Sequence, residues 1–349
     1  MVVPGMGAFE PTLTQVRDWA DAQGIGDEVR AELDLRLSHT VGLIAASDLG
    51  MELCFKGGTA INKLYFEDTA RLSVDLDYNA VGEERSVYRR CRERRESLTA
   101  LISQAGAELH RYKFGVVGDH LLFRYRSVTT GRSGSFKVEI SLTERFAVFG
   151  AVRRPFLVPL TTAPGSRREV AVNTTTLPEL IGTKIRALHQ RRKGRDIFDL
   201  WRAIPVIQDT TILRKLVLFY FACRNVPFDR QAFFGTLDQK IGDPRFQDDL
   251  TPYLRPGTRF DWATSTAEVR QWLDSTLNLD EIDEEFSLLV KYLVGAASGR
   301  RAAVADRVHY PVRFLFGDRP DTSDEANELT TSDLRRLMFG IAPEPDAAI

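Results

Sequence analysis

Cysteine is scarce in this chain: Cys54, Cys91 and Cys223 are the only three among 349 residues, and they lie far apart. An odd, scattered set without metal-like spacing argues against both a disulfide framework and a cysteine zinc site. A reduced cytoplasm is the expected compartment. Histidine is equally sparse, and His39, His110, His120, His189 and His309 form no ligand motif. No apolar run is long enough to cross a bilayer, and residues 1–7 lack the basic start and apolar core of a leader. The expectation is a soluble protein with no membrane partner. Internal repeats and low-complexity stretches are also missing.

Net charge is nearly absent too, at -1, but the sum conceals a local imbalance. Arg85, Arg89, Arg90, Arg92, Arg94 and Arg95 cluster in one segment. Arg153, Arg154, Arg167, Arg168, Lys184, Arg186, Arg191, Arg192, Lys193 and Arg195 populate a second, and residues 318–333 are rich in acid. Basic surface suits a polyanion such as RNA. The other reading of the first cluster is a solvated helix face with Glu93 and Glu96 as local partners.

What is present is enough apolar residue, 43% of the chain, to build one large domain or two ordinary ones. Residues 12–47 read as two helices, the second capped near Asp27 and carrying Val29, Leu33, Leu37, Val41 and Ile44 at helical spacing. Strand candidates follow at 53–55, 72–78, 113–117, 121–128 and 136–142, with a helix candidate at 86–103. Gly118-Asp119-His120 reads as a hairpin turn. Pro155, Pro159, Pro164 and Gly165 are expected to break regular structure, and after Thr174-Thr175-Thr176 the pattern turns helical. The domain boundary is placed near Asn173, giving domains 1–172 and 173–349 in an α+β chain.

The chemistry concentrates in two stretches. In 72–78, Leu72, Val74, Leu76 and Tyr78 alternate with Ser73, Asp75 and Asp77, so both aspartates point to one face of a strand. Residues two apart are about 6.5 to 7 Å apart along a strand, within reach of one divalent cation. Hard oxygen donors suit Mg²⁺. Just before, Gly57-Gly58 separates the apolar run 53–55 from the helical-looking 59–64, a strand-to-helix turn that allows close backbone approach. Free N–H groups at a helix start favour a phosphate. Glu139, on the polar face of 136–142, is either a third carboxylate near the metal or part of a Lys137/Glu139 solvent face.

Residues 177–188 form the second stretch, a helix with Thr176 as its cap and Pro178 in its first turn. Leu177, Leu180, Ile181, Ile185, Ala187 and Leu188 make one stripe, with Lys184 in its middle. An amine there needs an anion or a path to water, and the favoured anion is a triphosphate. Arg195-Asp196-Ile197-Phe198-Asp199 follows, its aspartates on one side of a helical turn. That segment is either an active-site element or a self-contained salt-bridge cluster.

With Lys56-Gly57-Gly58-Thr59-Ala60, Arg71-x-Ser73-x-Asp75-x-Asp77, Glu179-x4-Lys184 and Arg195-Asp196-x-x-Asp199-Leu200 in hand, the chain resembles the AbiEii/AbiGii toxin family of nucleotidyltransferases, which includes the MenT toxins. The resemblance implies a DNA-polymerase-β-like lobe with a mixed sheet, then a mainly helical lobe, with the active site in the cleft between them. It implies Mg²⁺ or Mn²⁺ as cofactor, an NTP as substrate, the tRNA acceptor end as target and a cognate antitoxin encoded nearby. Carried over by motif, Asp75 and Asp77 hold metal, with Glu139 a further candidate. Lys56, Gly57, Gly58, Thr59, Ser73 and Lys184 serve the nucleotide, and Asp196 joins the catalytic set. Ser73 is placed to touch the phosphates or to be modified. Rival readings keep the nucleotide but change the acceptor to a protein or small-molecule hydroxyl, or keep only nucleotide binding.

Overall fold

The computed structural model describes residues 9–288, apart from 67–69, 83–86, 88, 116–117, 145–146, 161–165, 223, 225, 282 and 285. Arg85, Ser86, Val117, Pro164, Gly165, Cys223, His309 and the acidic stretch 318–333 therefore lie outside the described residues, as does the segment 1–7. By internal packing the described residues form two units. The first comprises 9–180 and 248–261, and the second 181–247 and 262–288.

The first unit opens with α1 (Leu13–Gln23) and α2 (Glu28–Ala46). Thr12 and Gln15 form a reciprocal capping box on α1, and the Asp27 carboxylate accepts the Arg30 N–H to cap α2. Val29 does not join the core as its spacing suggests but is 47% exposed. The reason is that α2 is buried around much of its girth, with Glu32, Asp34, Arg36, Ser38, His39 and Thr40 inside. Its polar groups find partners there, such as Glu32 with Ser127 and Arg36.

A short helix α3 (Leu49–Glu52) leads to β1 (Leu53–Lys56), α4 (Gly57–Leu64) and β2 (Asp75–Ala80). Then come α5 (Cys91–Ser103), β3 (Ala107–Gly115), β4 (Gly118–Arg126), β5 (Ser133–Ser141), β6 (Val152–Pro159) and β7 (Arg167–Thr174). The seven strands make one mixed sheet in the order β3-β4-β5-β2-β1-β7-β6. The pairs β1/β7 and β2/β5 are parallel and the rest antiparallel. Phe55, Tyr78, Val138, Ile140, Leu121 and Phe123 are buried on one side, where α2 and α5 pack.

Three expectations are corrected. Gly118, Asp119 and His120 are not a turn but the first residues of β4, paired with Ser141, Ile140 and Glu139. Pro155 and Pro159 lie inside β6, which is tolerated because β6 is an edge strand and needs hydrogen bonds on one side only. The Asp-x-Asp strand begins at Asp75, not Leu72. The preceding residues are held by the returning segment instead: the Leu72 N–H donates to the Tyr253 carbonyl at 2.8 Å, and Arg71 bridges Leu254.

The second unit is helical in its described part. The division falls within α6 (Leu177–Gln190), after Leu180. There follow α7 (Arg195–Ala203), α8 (Thr210–Ala222), α9 (Arg230–Ile241), α10 (Pro244–Asp248) and α11 (Trp262–Thr276). Leu180, Ile181, Ile185 and Leu188 are buried as the stripe predicts, but Ala187 is only half-buried. Gly194 is required where α7 starts, because a Cβ there would stand 1.9 Å from the Phe246 carbonyl oxygen.

Candidate active site

In the first unit the sheet register assembles the site. Lys56 at the end of β1 lies opposite Asp77, and Asp77 lies opposite Glu139 on the parallel neighbour β5. Register partners point to one side of a sheet, so Asp75, Asp77 and Glu139 share the face opposite the buried one. All three are half-buried.

The glycine turn closes directly on this face. Gly57 has φ +77°, in the left-handed region, and a Cβ added to it would come within 2.2 Å of Asp77 Oδ2. Only glycine lets the backbone approach that carboxylate so closely. Thr59 Oγ1 donates to the Asp75 carbonyl at 2.9 Å, and Asn62 Nδ2 donates to the Gly58 carbonyl at 2.9 Å. The first bond ties the first turn of α4 to the start of β2, and the second braces that turn from within the helix. The Thr59 hydroxyl that the sequence offers to a nucleotide is thus donated to the chain itself. Ser73 is 5% exposed, and its Oγ makes no hydrogen bond with any described residue.

Lys56 Nζ pairs with the buried Glu144 carboxylate at 2.8 Å. Sequence reasoning did not find Glu144, since a partner 88 residues away leaves no local spacing signal. Glu139 sits 3.5 Å from His120 Nδ1. Among the described residues no three His, Cys, Asp or Glu side chains close on a common centre. The donors still fit a hard divalent ion: two half-buried carboxylates on one strand face, a glycine cradle that a Cβ would fill, and an orphaned hydroxyl in the preceding loop.

Glu179 is fully buried in the first unit, where its carboxylate accepts the Val148 N–H. In the second unit Lys184 is 4% exposed, and its ammonium is not left without an anion. Asp196 Oδ1 and Asp199 Oδ2 each lie 2.9 Å from Nζ. Arg191 donates from Nε to Asp196 Oδ2 and from Nη2 to Oδ1, both at 2.9 Å. Burial works to raise the Asp196 pKa, but the charges and hydrogen bonds of Lys184 and Arg191 outweigh it and hold the carboxyl well below the usual range. The buried Lys240 donates to the Leu188 and His189 carbonyls at the end of α6, a favoured place for a cation. Burial pushes its pKa down to about 8 against the pull of Asp196.

In the first arginine cluster Arg90 and Arg92 have Glu93 and Glu96 as local partners, as the helix-face reading expects, whereas Arg94 is buried and reaches Glu52. Arg90 pairs with Glu52 and Glu93, Arg92 with Glu96, and Arg95 with Asp119.

A family model for the nucleotidyl transferase AbiEii toxin of type IV toxin–antitoxin systems matches residues 41–266, well over half of the chain. Among solved structures, the nucleotidyltransferase toxin MenT4 of Mycobacterium tuberculosis superposes with a TM-score of 0.60 at 18% identity, covering 88% of this chain and 99% of that one. At that identity the likeness concerns the fold, an α+β architecture. JHP933 of Helicobacter pylori matches at 16% identity over 80% of this chain and 98% of its own, with a TM-score of 0.45. No curated protein matches the sequence.

Proposed function

The chain belongs to the nucleotidyl transferase AbiEii toxin family, and from that premise we propose that it transfers NMP from an NTP to the 3′ end of tRNA and so blocks translation. The observation that carries this reading is the closure of the Gly57 turn on Asp77, which sets the start of a helix, where free amides favour phosphate, beside a carboxylate pair. In this reading Asp75 and Asp77 hold Mg²⁺ or Mn²⁺, with Glu139 as a third candidate. When bound, the ion lowers the pKa of the acceptor hydroxyl and neutralises charge developing at the α-phosphate.

The N–H groups of Gly57 and Gly58 receive phosphate oxygens, and the Ser73 hydroxyl is the nearby donor with no partner of its own. Lys56 serves the nucleotide from the end of β1, steadied by Glu144. Lys184 is assigned to the triphosphate, with Asp196 and Asp199 holding its ammonium in place until nucleotide arrives. A carboxyl held as far down as that of Asp196 is a weak base, so its part is to position rather than to abstract a proton. The acceptor hydroxyl gives up its proton to solvent water as its oxygen bonds to the α-phosphorus, the bond to the β-phosphate breaks, and pyrophosphate leaves with its electron pair. Membership of a type IV toxin–antitoxin family implies a cognate antitoxin, which we assign to a neighbouring gene.

The test is to incubate the protein with total tRNA and each α-labelled NTP in turn, then to sequence the RNA 3′ ends. One NTP should label tRNA and leave extra 3′ nucleotides, and folded Asp77→Ala should label none. Label on a protein or a small molecule would overturn the acceptor assignment. An active Asp77→Ala protein would overturn the metal pair.

A further inference from the structure

The face of the sheet that carries Asp75 and Asp77 continues past Glu139 into a run of cations. Lys137 lies opposite Asp75, Leu122 opposite Lys137, and Arg111 opposite Leu122. One step along, the row from Asp77 runs through Glu139 and His120 to Lys113. On β4, Arg124 and Arg126 alternate with the buried Phe123 and Tyr125, so they point to the same side. All five cations, Lys137, Arg111, Lys113, Arg124 and Arg126, are exposed.

None of the five forms an ion pair with any described residue, whereas Arg90 at the cap of α5 and Arg92, Arg94 and Arg95 within it pair with Glu52, Glu93, Glu96 or Asp119. No two of the five are direct cross-strand partners, and Glu108 lies opposite Arg124. On this face of β3 and β4 the four cations Arg111, Lys113, Arg124 and Arg126 still outnumber Glu108, a surplus that an external polyanion neutralises. Three strand spacings of about 4.8 Å separate β2 from β3, and the six steps along the strand from His120 to Arg126 extend about 20 Å. A triphosphate is too small to cover such an area. A polynucleotide backbone, with a phosphate at each residue, covers it.

We propose that this sheet face, spanning β3, β4 and β5, is the track along which the phosphate backbone of the acceptor RNA lies as its end approaches Asp75 and Asp77. The proposal rests on the reading of RNA as acceptor. It adds the surface and the residues that bind it.

The test uses the full chain with Arg111, Lys113, Arg124 and Arg126 all changed to Gln, and two milder proteins carrying only the β3 pair or only the β4 pair. Lys137 is left intact because it adjoins Asp75. Binding of 5′-labelled tRNA is followed by fluorescence anisotropy across a salt series, and binding of Mg·NTP by calorimetry. The fourfold variant should bind NTP like the wild type yet bind tRNA at least tenfold more weakly near ~0.15 M salt. Its slope of log affinity against log salt should be shallower by roughly 3, and each pair should account for about half of that. Wild-type affinity and slope in folded variants would overturn the track while leaving RNA as acceptor. Normal NTP binding with no tRNA binding by the wild type would instead overturn the acceptor reading, and the track with it. Unchanged tRNA binding together with lost capture of the co-expressed antitoxin would overturn the track in favour of a protein partner.

Discussion

Lys184 shows how far a single residue can be read from its neighbours in sequence. A lysine in an apolar stripe needs an anion, and the spacing of Asp196 and Asp199 on one side of α7 makes both available. A triphosphate is therefore not needed to explain its burial, because two buried carboxylates already meet the ammonium. Removing the ammonium strands those two carboxylates, so Lys184→Met should cost about 3 to 5 kcal/mol, the range for breaking a buried ion pair from one side. Urea unfolding measures it, and a wild-type midpoint would contradict the cluster's structural role. A second prediction concerns acid. The folded pKa of Asp196 lies below its unfolded value of about 3.9. The stability it contributes is thus complete above pH ~4 and is lost as pH falls toward the depressed folded value. Asp196→Asn should flatten the acid limb of the stability curve below pH ~4, followed by unfolding at successive pH values. An unchanged limb would mean that the carboxyl is not held down by Lys184 and Arg191.

At the scale of elements, periodicity made faces legible and left neighbours dark. The alternation around Asp75 and Asp77 sets the polar face of β2, and the glycines mark the turn into α4. No local pattern says that β6 is an edge, and so its prolines read as breakers. Nor does any local pattern say that Arg71 and Leu72 answer to the distant Tyr253 segment rather than to a strand. The seat of α4 is equally non-local. Lys63 near its end pairs with the buried Asp34 of α2 at 2.8 Å, and Asp34 also accepts from Trp19 Nε1 at 3.0 Å. Asp34→Leu should therefore destabilise the protein by about 3 to 5 kcal/mol, because it strands a buried ammonium. It should also raise the KM for NTP by loosening the helix that carries Gly57 and Gly58. Adding Lys63→Met should recover much of the stability, as an apolar replacement of both partners often does. Thermal melts of the two single variants and the double compare them. Equal and additive losses would mean that the two side chains do not act as a pair.

At the scale of the whole molecule the chain does not finish its first unit before starting its second. Residues 181–247 intervene before Asp248–Asp261 returns to the first unit. The returning stretch takes hold of the loop just ahead of Asp75. The Tyr253 carbonyl accepts from Leu72, the Arg255 N–H donates to Ala70 at 3.0 Å, and Thr258 Oγ1 donates to the same carbonyl at 3.0 Å. Arg255 Nη1 in turn donates to the Gln23 carbonyl at the end of α1. The approach to the carboxylate pair is thereby positioned by residues about 180 places later in sequence, beyond the reach of any local motif. Arg255→Ala combined with Thr258→Val removes both side-chain tethers and leaves Asp75 and Asp77 untouched. Each lost hydrogen bond is worth about 1 kcal/mol, so the fold should survive while the loop opens more often. Hydrogen exchange should show the Leu72 amide losing protection, and nucleotide transfer should slow with NTP affinity little changed. A Leu72 amide as protected as in the wild type would mean that the returning segment does not hold the loop, and that Ser73 and Asp75 are positioned from within 53–80 alone.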